Sequence, residues 1–280
     1  MRPITDLRTF LFLLCTIFAC PTWAQNADSL FVTQALQEAP PDATTLYFAR
    51  LFIGRPYVAH TLEVGESEQL VVNTRQLDCT TYVENVLALT LCAAAGRKTY
   101  ADFTAMLCRL RYRGGRLAGY ASRLHYFSDW IDDNAQAGYI SEVQHRKAPF
   151  TAVQTLKIDF MSRHPSSYKT LTAHPELVPL IAAQEEALTG RSYRYIPKRE
   201  VKNSKTMRQA VHDGDIIAIT TSKPGLDIAH LGFAVWRRDG LHLLNASMIH
   251  KKVVEEPMTL EQYLAKHPSH TGLRIIRVNH

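Results

Sequence analysis

Leu77-Asp78-Cys79-Thr80-Thr81-Tyr82-Val83-Glu84-Asn85-Val86-Leu87-Ala88-Leu89 joins a polar loop to an apolar helix, with a cysteine at the join. From Cys79 the apolar residues recur at Val83, Val86, Leu87 and Leu91, a spacing near 3.6 that lays one helical face against a core. Asp78 can cap this helix, and so can Thr81 with Glu84 three residues on, a capping-box pattern. Either choice puts Cys79 at the helix N-terminus. Unpaired N–H groups and the positive end of the macrodipole gather there, which favours a thiolate and predicts a lowered cysteine pKa. The same N–H groups can receive an oxyanion. Cys79 is therefore the candidate nucleophile. The plainer alternatives are a small buried hydrophobe or half of a disulfide. The polar approach Asn73-Thr74-Arg75-Gln76 points instead to a solvent-facing segment.

The ends of the chain set the compartment. Arg2 and Arg8 flank an almost wholly apolar run from Thr9 to Ala19, and Thr22-Trp23-Ala24 offers a small-x-small cleavage site, so residues 1–24 read as a secretory signal. An alternative takes Ile17-Phe18-Ala19-Cys20 as a lipoprotein site with Cys20 acylated; Phe18 and Pro21 count against it. No other apolar run approaches the roughly 20 residues of a membrane span. The expectation is a mature chain of residues 25–280 forming one periplasmic, monomeric domain. Its formal charge of +6 falls to +5 without Arg2, Asp6 and Arg8. Such an excess suits an anionic polymer, and the scattered basic residues argue against nucleic acid.

Cys79, Cys92 and Cys108 remain in the mature chain, an odd number that leaves at least one thiol unpaired. Cys92 and Cys108 can pair or can be helix core, and their spacing matches no zinc pattern. HExxH, GxSxG, P-loop and Rossmann glycine patterns are absent, as are internal repeats, so neither metal nor cofactor is expected.

Along the chain, residues 28–52 read as helical with a break at Pro40-Pro41. Gly54-Arg55-Pro56-Tyr57 is a turn leading to a short extended run, and Tyr57 there can border a cleft. Residues 101–187 read as mostly helical or irregular, with an aromatic cluster from Tyr120 to Trp130 around His125 and an amphipathic helix from Leu171 to Leu188 that offers no chemistry. From Tyr193 the pattern becomes β-like: strands at Ile216–Ile219, Ala229–Trp236, Leu241–Met248, Lys251–Glu255 and Gly272–Val278. Helices first and an antiparallel sheet last define an α+β fold.

Alternation along Ala229–Trp236 puts His230, Gly232, Ala234 and Trp236 on one face and Leu231, Phe233 and Val235 on the core face. A hairpin tip at Asp239-Gly240 places Asn245 opposite Ala234; a four-residue loop from Arg237 to Gly240 places it opposite Gly232, diagonal to His230. Both registers keep Asn245 and Ser247 on the His230 face. A histidine of near-neutral pKa can take the thiol proton and return it to a leaving amine. His60, His125, His242 and His250 lack the combination of strand position, adjacent glycine and polar cross-strand partner.

Asp78-Cys79-Thr80-Thr81 opening a helix, His230-Leu231-Gly232-Phe233-Ala234 on a strand and Asn245-Ala246-Ser247 on the next together resemble the NlpC-type papain-like cell-wall cysteine hydrolases. Gly54-Arg55-Pro56-Tyr57, the stretch from Asn73 to Glu84, Arg123-Leu124-His125-Tyr126-Phe127 and Gly225-Leu226-Asp227-Ile228-Ala229-His230 resemble, more narrowly, its N-acetylmuramoyl-L-alanine amidase-like branch. The resemblance implies a cysteine-bearing helix packed on a histidine-bearing antiparallel sheet, with helical additions at the N-terminus and mid-chain. It implies cleavage of the bond between the lactyl group of N-acetylmuramic acid and L-alanine in anhydro-muropeptides. Carried over by position, Cys79 is nucleophile, His230 base and Asn245 orienting group, where relatives often carry histidine. Tyr57, Arg123, His125 and Asp227 then line the substrate pocket. Endopeptidase or acyl-transfer chemistry on the same thiol, and non-catalytic muropeptide binding, are the rival readings; a Cys79 inert to iodoacetamide near neutral pH speaks for the last.

Overall fold

The computed structural model describes residues 21–279. The expected leader and Cys20 lie outside them, except that residues 21–24 form the first turn of α1. In order, the elements are α1 (Pro21–Gln37), α2 (Thr45–Arg50), α3 (Cys79–Ala94), α4 (Tyr100–Arg111), α5 (Phe127–Gln136), β1 (Ile140–Val143), β2 (Ala152–Thr155), α6 (Phe160–Arg163), α7 (Lys169–Ala173), α8 (Val178–Leu188), β3 (Ser192–Pro197), α9 (Lys205–Ala210), β4 (Ile216–Thr221), β5 (Ile228–Trp236), β6 (Leu241–Ser247), β7 (Lys252–Glu255), α10 (Leu260–Ala265) and β8 (His270–Val278). The strands form one sheet ordered β2-β3-β8-β4-β5-β6-β7, with β1 also on β8. Their pairings are antiparallel.

The α+β expectation holds, with corrections in detail. Residues 101–187 contain β1 and β2, short strands whose partners β8 and β3 come much later in the chain. The predicted helix from Leu171 to Leu188 is broken at Pro175 into α7 and α8, because proline cannot supply the N–H that a continuous helix needs there.

Helix α3 is buried from Thr81 to Cys92, not along one face alone. It packs across β5 and β6, while α1, α2 and α4 cover its remaining sides. A helix apolar all round belongs in such a position. Val83, Val86 and Leu87 are wholly buried in this layer, each contributing about 1.5–3 kcal/mol. Tyr82 ties three elements together: its ring meets Phe233 of β5 edge-on at 5.4 Å and its hydroxyl donates to the Ala49 carbonyl at 3.0 Å. Glu84 is equally buried and bridges to Arg111 of α4 at 2.7 Å. It is a core ion pair, not the capping carboxylate of Thr81.

The opposite face of the sheet is also covered. Ile217, Ile219, Ala234, Leu243 and Ile275 form a second core with Leu260, Tyr263 and Leu264 of α10. The face of β5 that carries His230 therefore looks into protein over most of its length. Cys79, Cys92 and Cys108 are all free thiols.

A candidate active site

Asp78 is the N-cap of α3. Its carboxylate accepts from the Thr81 N–H at 2.8 Å, and the Thr81 hydroxyl accepts from the Asp78 N–H at 2.9 Å. The preceding strand-like segment is clamped on both sides. Leu77 donates its N–H to the Pro56 carbonyl (3.1 Å), while Tyr57 donates to Lys251 (2.9 Å) and Val253 to Arg55 (2.8 Å), beside the β7 edge. Cys79 is thus held by its own helix and by the sheet.

Cys79 and His230 line one cleft of about 180 Å³, together with His125, Tyr126, Phe127, Met161, Tyr168 and Asp227. Burial pushes the Cys79 thiol up to about 12; Asp78 adds to this, and nearby main-chain and hydroxyl donors only partly offset it. This corrects the expectation of a lowered pKa: the desolvation of a charged sulfur outweighs the helix N-terminus. The thiol rests protonated, and a base must take its proton.

His230 is the candidate base. Burial pulls its imidazole below the ordinary 6.5, against the hydrogen bond to Asn245 and the charge of Glu256, which act upward. Nε2 lies 2.8 Å from Asn245 Oδ1. An amide oxygen only accepts, so Nε2 carries the proton and Nδ1 keeps the lone pair. The pairing of Trp236 with Leu241 and of Phe233 with Leu244 sets the longer of the two hairpin loops, Arg237 to Gly240, between β5 and β6. That register carries Asn245 opposite Gly232, where a Cβ would stand 2.7 Å from the Leu244 carbonyl oxygen and 2.9 Å from Asn245 Cβ. Only glycine leaves room for Asn245 to reach the imidazole. Ser247 hydrogen-bonds instead with the His250 N–H.

The other cleft wall has a different construction. His125 donates from Nε2 to the Tyr120 carbonyl at 2.9 Å, and burial beside Arg123 pulls it to about 3, so it stays neutral. Asp227 accepts from the Ser128 N–H (2.6 Å) and the Ile228 N–H (2.8 Å). It caps α5, which has no side-chain cap of its own, and so locks α5 to the start of β5. Of the other two expected pocket residues, Tyr57 has its phenol pushed up to about 12 by burial above all, with the nearby Asp78 carboxylate adding to it. Arg123 is engaged by Glu68 at 3.0 Å and Glu63 at 3.7 Å and lies over the Tyr120 ring. Neither lines the cleft of Cys79.

Glu185 of α8 escaped sequence reasoning. Buried beneath the wall, it accepts from the Tyr126 hydroxyl (2.6 Å), the Met161 N–H (2.9 Å) and the Ser162 N–H (3.1 Å). Gly225, at φ +78°, lets the β4–β5 turn touch the start of α6; a Cβ there would lie 2.6 Å from Asp159 Oδ1. Among the described residues no three His, Cys, Asp or Glu side chains converge to hold a metal, and no helix is long and apolar enough to cross a membrane.

A thiol and an imidazole share the cleft, with an amide behind the imidazole, a set of groups suited to cleaving amides. The chain belongs to the AmiA-like, N-acetylmuramoyl-L-alanine amidase-like family, whose model matches residues 47–273. A solved N-acetylmuramoyl-L-alanine amidase from Bacteroides uniformis is 40% identical, over 85% of this chain and 99% of its own, with a TM-score of 0.79. A Bacteroides fragilis protein provisionally named a xylanase is 41% identical, over 83% of this chain and 100% of its own, with a TM-score of 0.78. A Legionella pneumophila protein, 23% identical over 91% of this chain and 95% of its own, shares the fold at a TM-score of 0.70. No curated protein matches.

Proposed function

We propose that this chain is a cysteine-dependent N-acetylmuramoyl-L-alanine amidase acting on muropeptides, anhydro forms included, through Cys79, His230 and Asn245. The observation that carries it is the alignment of Asn245 Oδ1 on His230 Nε2 at 2.8 Å, which leaves Nδ1 as base in the cleft that the Cys79 sulfur shares. His230 takes the thiol proton as the sulfur attacks the lactyl carbonyl carbon. The Asp78 cap occupies the Thr81 N–H, and the N–H groups of Cys79 and Thr80, which have no carbonyl partner inside the helix, are available to the developing oxyanion. The imidazolium then protonates the L-alanine nitrogen as the C–N bond breaks. Water, deprotonated by His230, hydrolyses the thioester and restores the thiol.

In this reading α3 packed on β5 and β6 is the NlpC-type, papain-like core, and Tyr57, Arg123, His125 and Asp227 shape the site around it, directly or through neighbours. Residues 1–24 are a signal peptide, and residues 25–280 act as one monomeric periplasmic domain on peptidoglycan fragments without a cofactor. A glycosidase reading, suggested by the name of the Bacteroides fragilis neighbour, lacks its machinery. Glycoside hydrolysis ordinarily uses two carboxylates, whereas among the described residues lining the cleft Asp227 is the one carboxylate, and both its oxygens accept N–H bonds.

Mass spectrometry of a defined muropeptide, in anhydro and reducing forms, after incubation with wild type and with Cys79→Ala tests the proposal. Free peptide and intact sugar from wild type alone support it. Cleavage between amino acids moves the activity to an endopeptidase, a new amide formed with an added amine to a transferase, and tight binding without turnover to a binding protein. Because the thiol rests protonated, slow alkylation by iodoacetamide does not separate enzyme from binder; turnover does.

A further inference from the structure

Behind Asn245 the hydrogen-bond chain continues into the protein. Glu256, just after β7, is 1% exposed. Its Oε1 accepts from Asn245 Nδ2 at 3.1 Å and its Oε2 lies 3.0 Å from His250 Nε2. Its own N–H donates to the Leu243 carbonyl at 2.8 Å, so the carboxylate is anchored through the backbone to β6. The Leu243 and Val254 carbonyls also face Asn245 Nδ2, each at 3.4 Å. Three acceptors therefore surround that nitrogen. Turning the amide over would set Oδ1 against a carboxylate and two carbonyls in a buried space, an arrangement with no donor.

We infer that Glu256 is a positioning residue of the site: it locks the Asn245 amide with Oδ1 toward His230 Nε2 and supplies the buried negative charge that supports the imidazolium formed when Cys79 gives up its proton. An asparagine cannot bear charge, and the charge stands one residue further back, on Glu256. His250 closes the chain at the surface. Other groups also bear on the imidazole. Glu256 and Asp78 favour its charged form and His267 opposes it. The Tyr263 ring stacks on it at 6.4 Å, and His270 lies in the same stack of rings, 5.9 Å from Tyr263. Of the two acids, Glu256 alone is wired to the imidazole through hydrogen bonds.

The kinetic consequences rest on the amidase reading; the spectroscopic ones do not. In the free wild-type protein at neutral pH, ¹⁵N NMR of His230, assigned with His230→Gln, is expected to show the Nε2-protonated tautomer. Glu256→Gln keeps an acceptor for Asn245 and removes the charge. It is expected to keep that tautomer, move the His230 titration and the acid limb of kcat/KM to lower pH, and lower kcat about tenfold with KM changed by less than about twofold. Glu256→Met removes the acceptor too, and is expected to mix the tautomers. An Nδ1-protonated wild type overturns the inference without any variant. So does a Glu256→Gln protein whose His230 titrates at the wild-type pH. Absence of turnover in every form, with the NMR outcome as expected, would sink the amidase reading and leave the positioning role standing.

Discussion

On one side of the cleft, His230 and Asn245 stand on adjacent strands joined by a four-residue loop, 15 positions apart in the chain. On the other, His125 and Tyr126, Met161, and Tyr168 come from three segments, and Glu185 of α8, 59 residues from Tyr126, ties Tyr126 to Met161. The first side is specified by local chemistry: a strand alternation, a glycine opposite an asparagine, a short hairpin. The second exists only once the mid-chain helices have docked. In the proposed amidase the two sides have different work, proton transfer on the β5–β6 hairpin and substrate shape on the mid-chain wall.

Variants can break that division. The largest effect is expected for Cys79→Ala, which should lower turnover of a muropeptide by at least about 10⁴-fold with little change in melting temperature, measured by product release and thermal denaturation. Next, Glu185→Ala leaves the Tyr126 hydroxyl and the Ser162 N–H without their acceptor, while the Met161 N–H keeps only the Tyr126 oxygen. It should cost about 2–4 kcal/mol of stability, lower Tm by roughly 5–15 °C, and raise KM more than it lowers kcat. A fall confined to kcat would show that the wall takes part in the chemistry. Asn245→Ala should lower kcat about 10²-fold while leaving KM near wild type, the kinetic mirror image of Glu185→Ala, with a lowered Tm because buried Glu256 loses its donor; equal effects on both constants would erase the distinction.

The smallest effect concerns pH. His125 is pulled from 6.5 to about 3 in the folded state, so between these values the unfolded chain binds a proton that the native chain does not. Stability is therefore lost as pH falls below 6.5, by up to about 1.4 kcal/mol per pH unit. His125→Gln should flatten that slope in denaturant titrations at pH 7.5 and 5.5. An unchanged slope would mean that other groups, such as the buried His270, drawn to about 4, dominate the acid response. Activity should fail on the acid side only below 6.5, because burial also holds His230 under its ordinary value.

The boundaries of α3, β5 and β6 follow the apolar spacing closely, since capping and alternation act within a few residues and leave a direct trace in the chain. The helix α3 was readable as amphipathic but is buried all round, because α1 and α4 cover sides that no local pattern assigns. The strands β1 and β2 were not readable at all: each is four residues long and is fixed by a partner far along the sequence.

By itself, the sequence determined which residues can do chemistry and on what elements they ride: Cys79 behind an Asp78 cap, His230 beside Gly232, Asn245 across a hairpin of two possible registers. The tertiary structure alone decided the register, the raised pKa of the thiol, the second core under the His230 face, and the hydrogen-bond partners of Asp227, Glu185 and Glu256. The reason is physical. Propensity, capping and alternation are short-range, whereas desolvation and the pairing of buried polar groups depend on what distant segments pack against them.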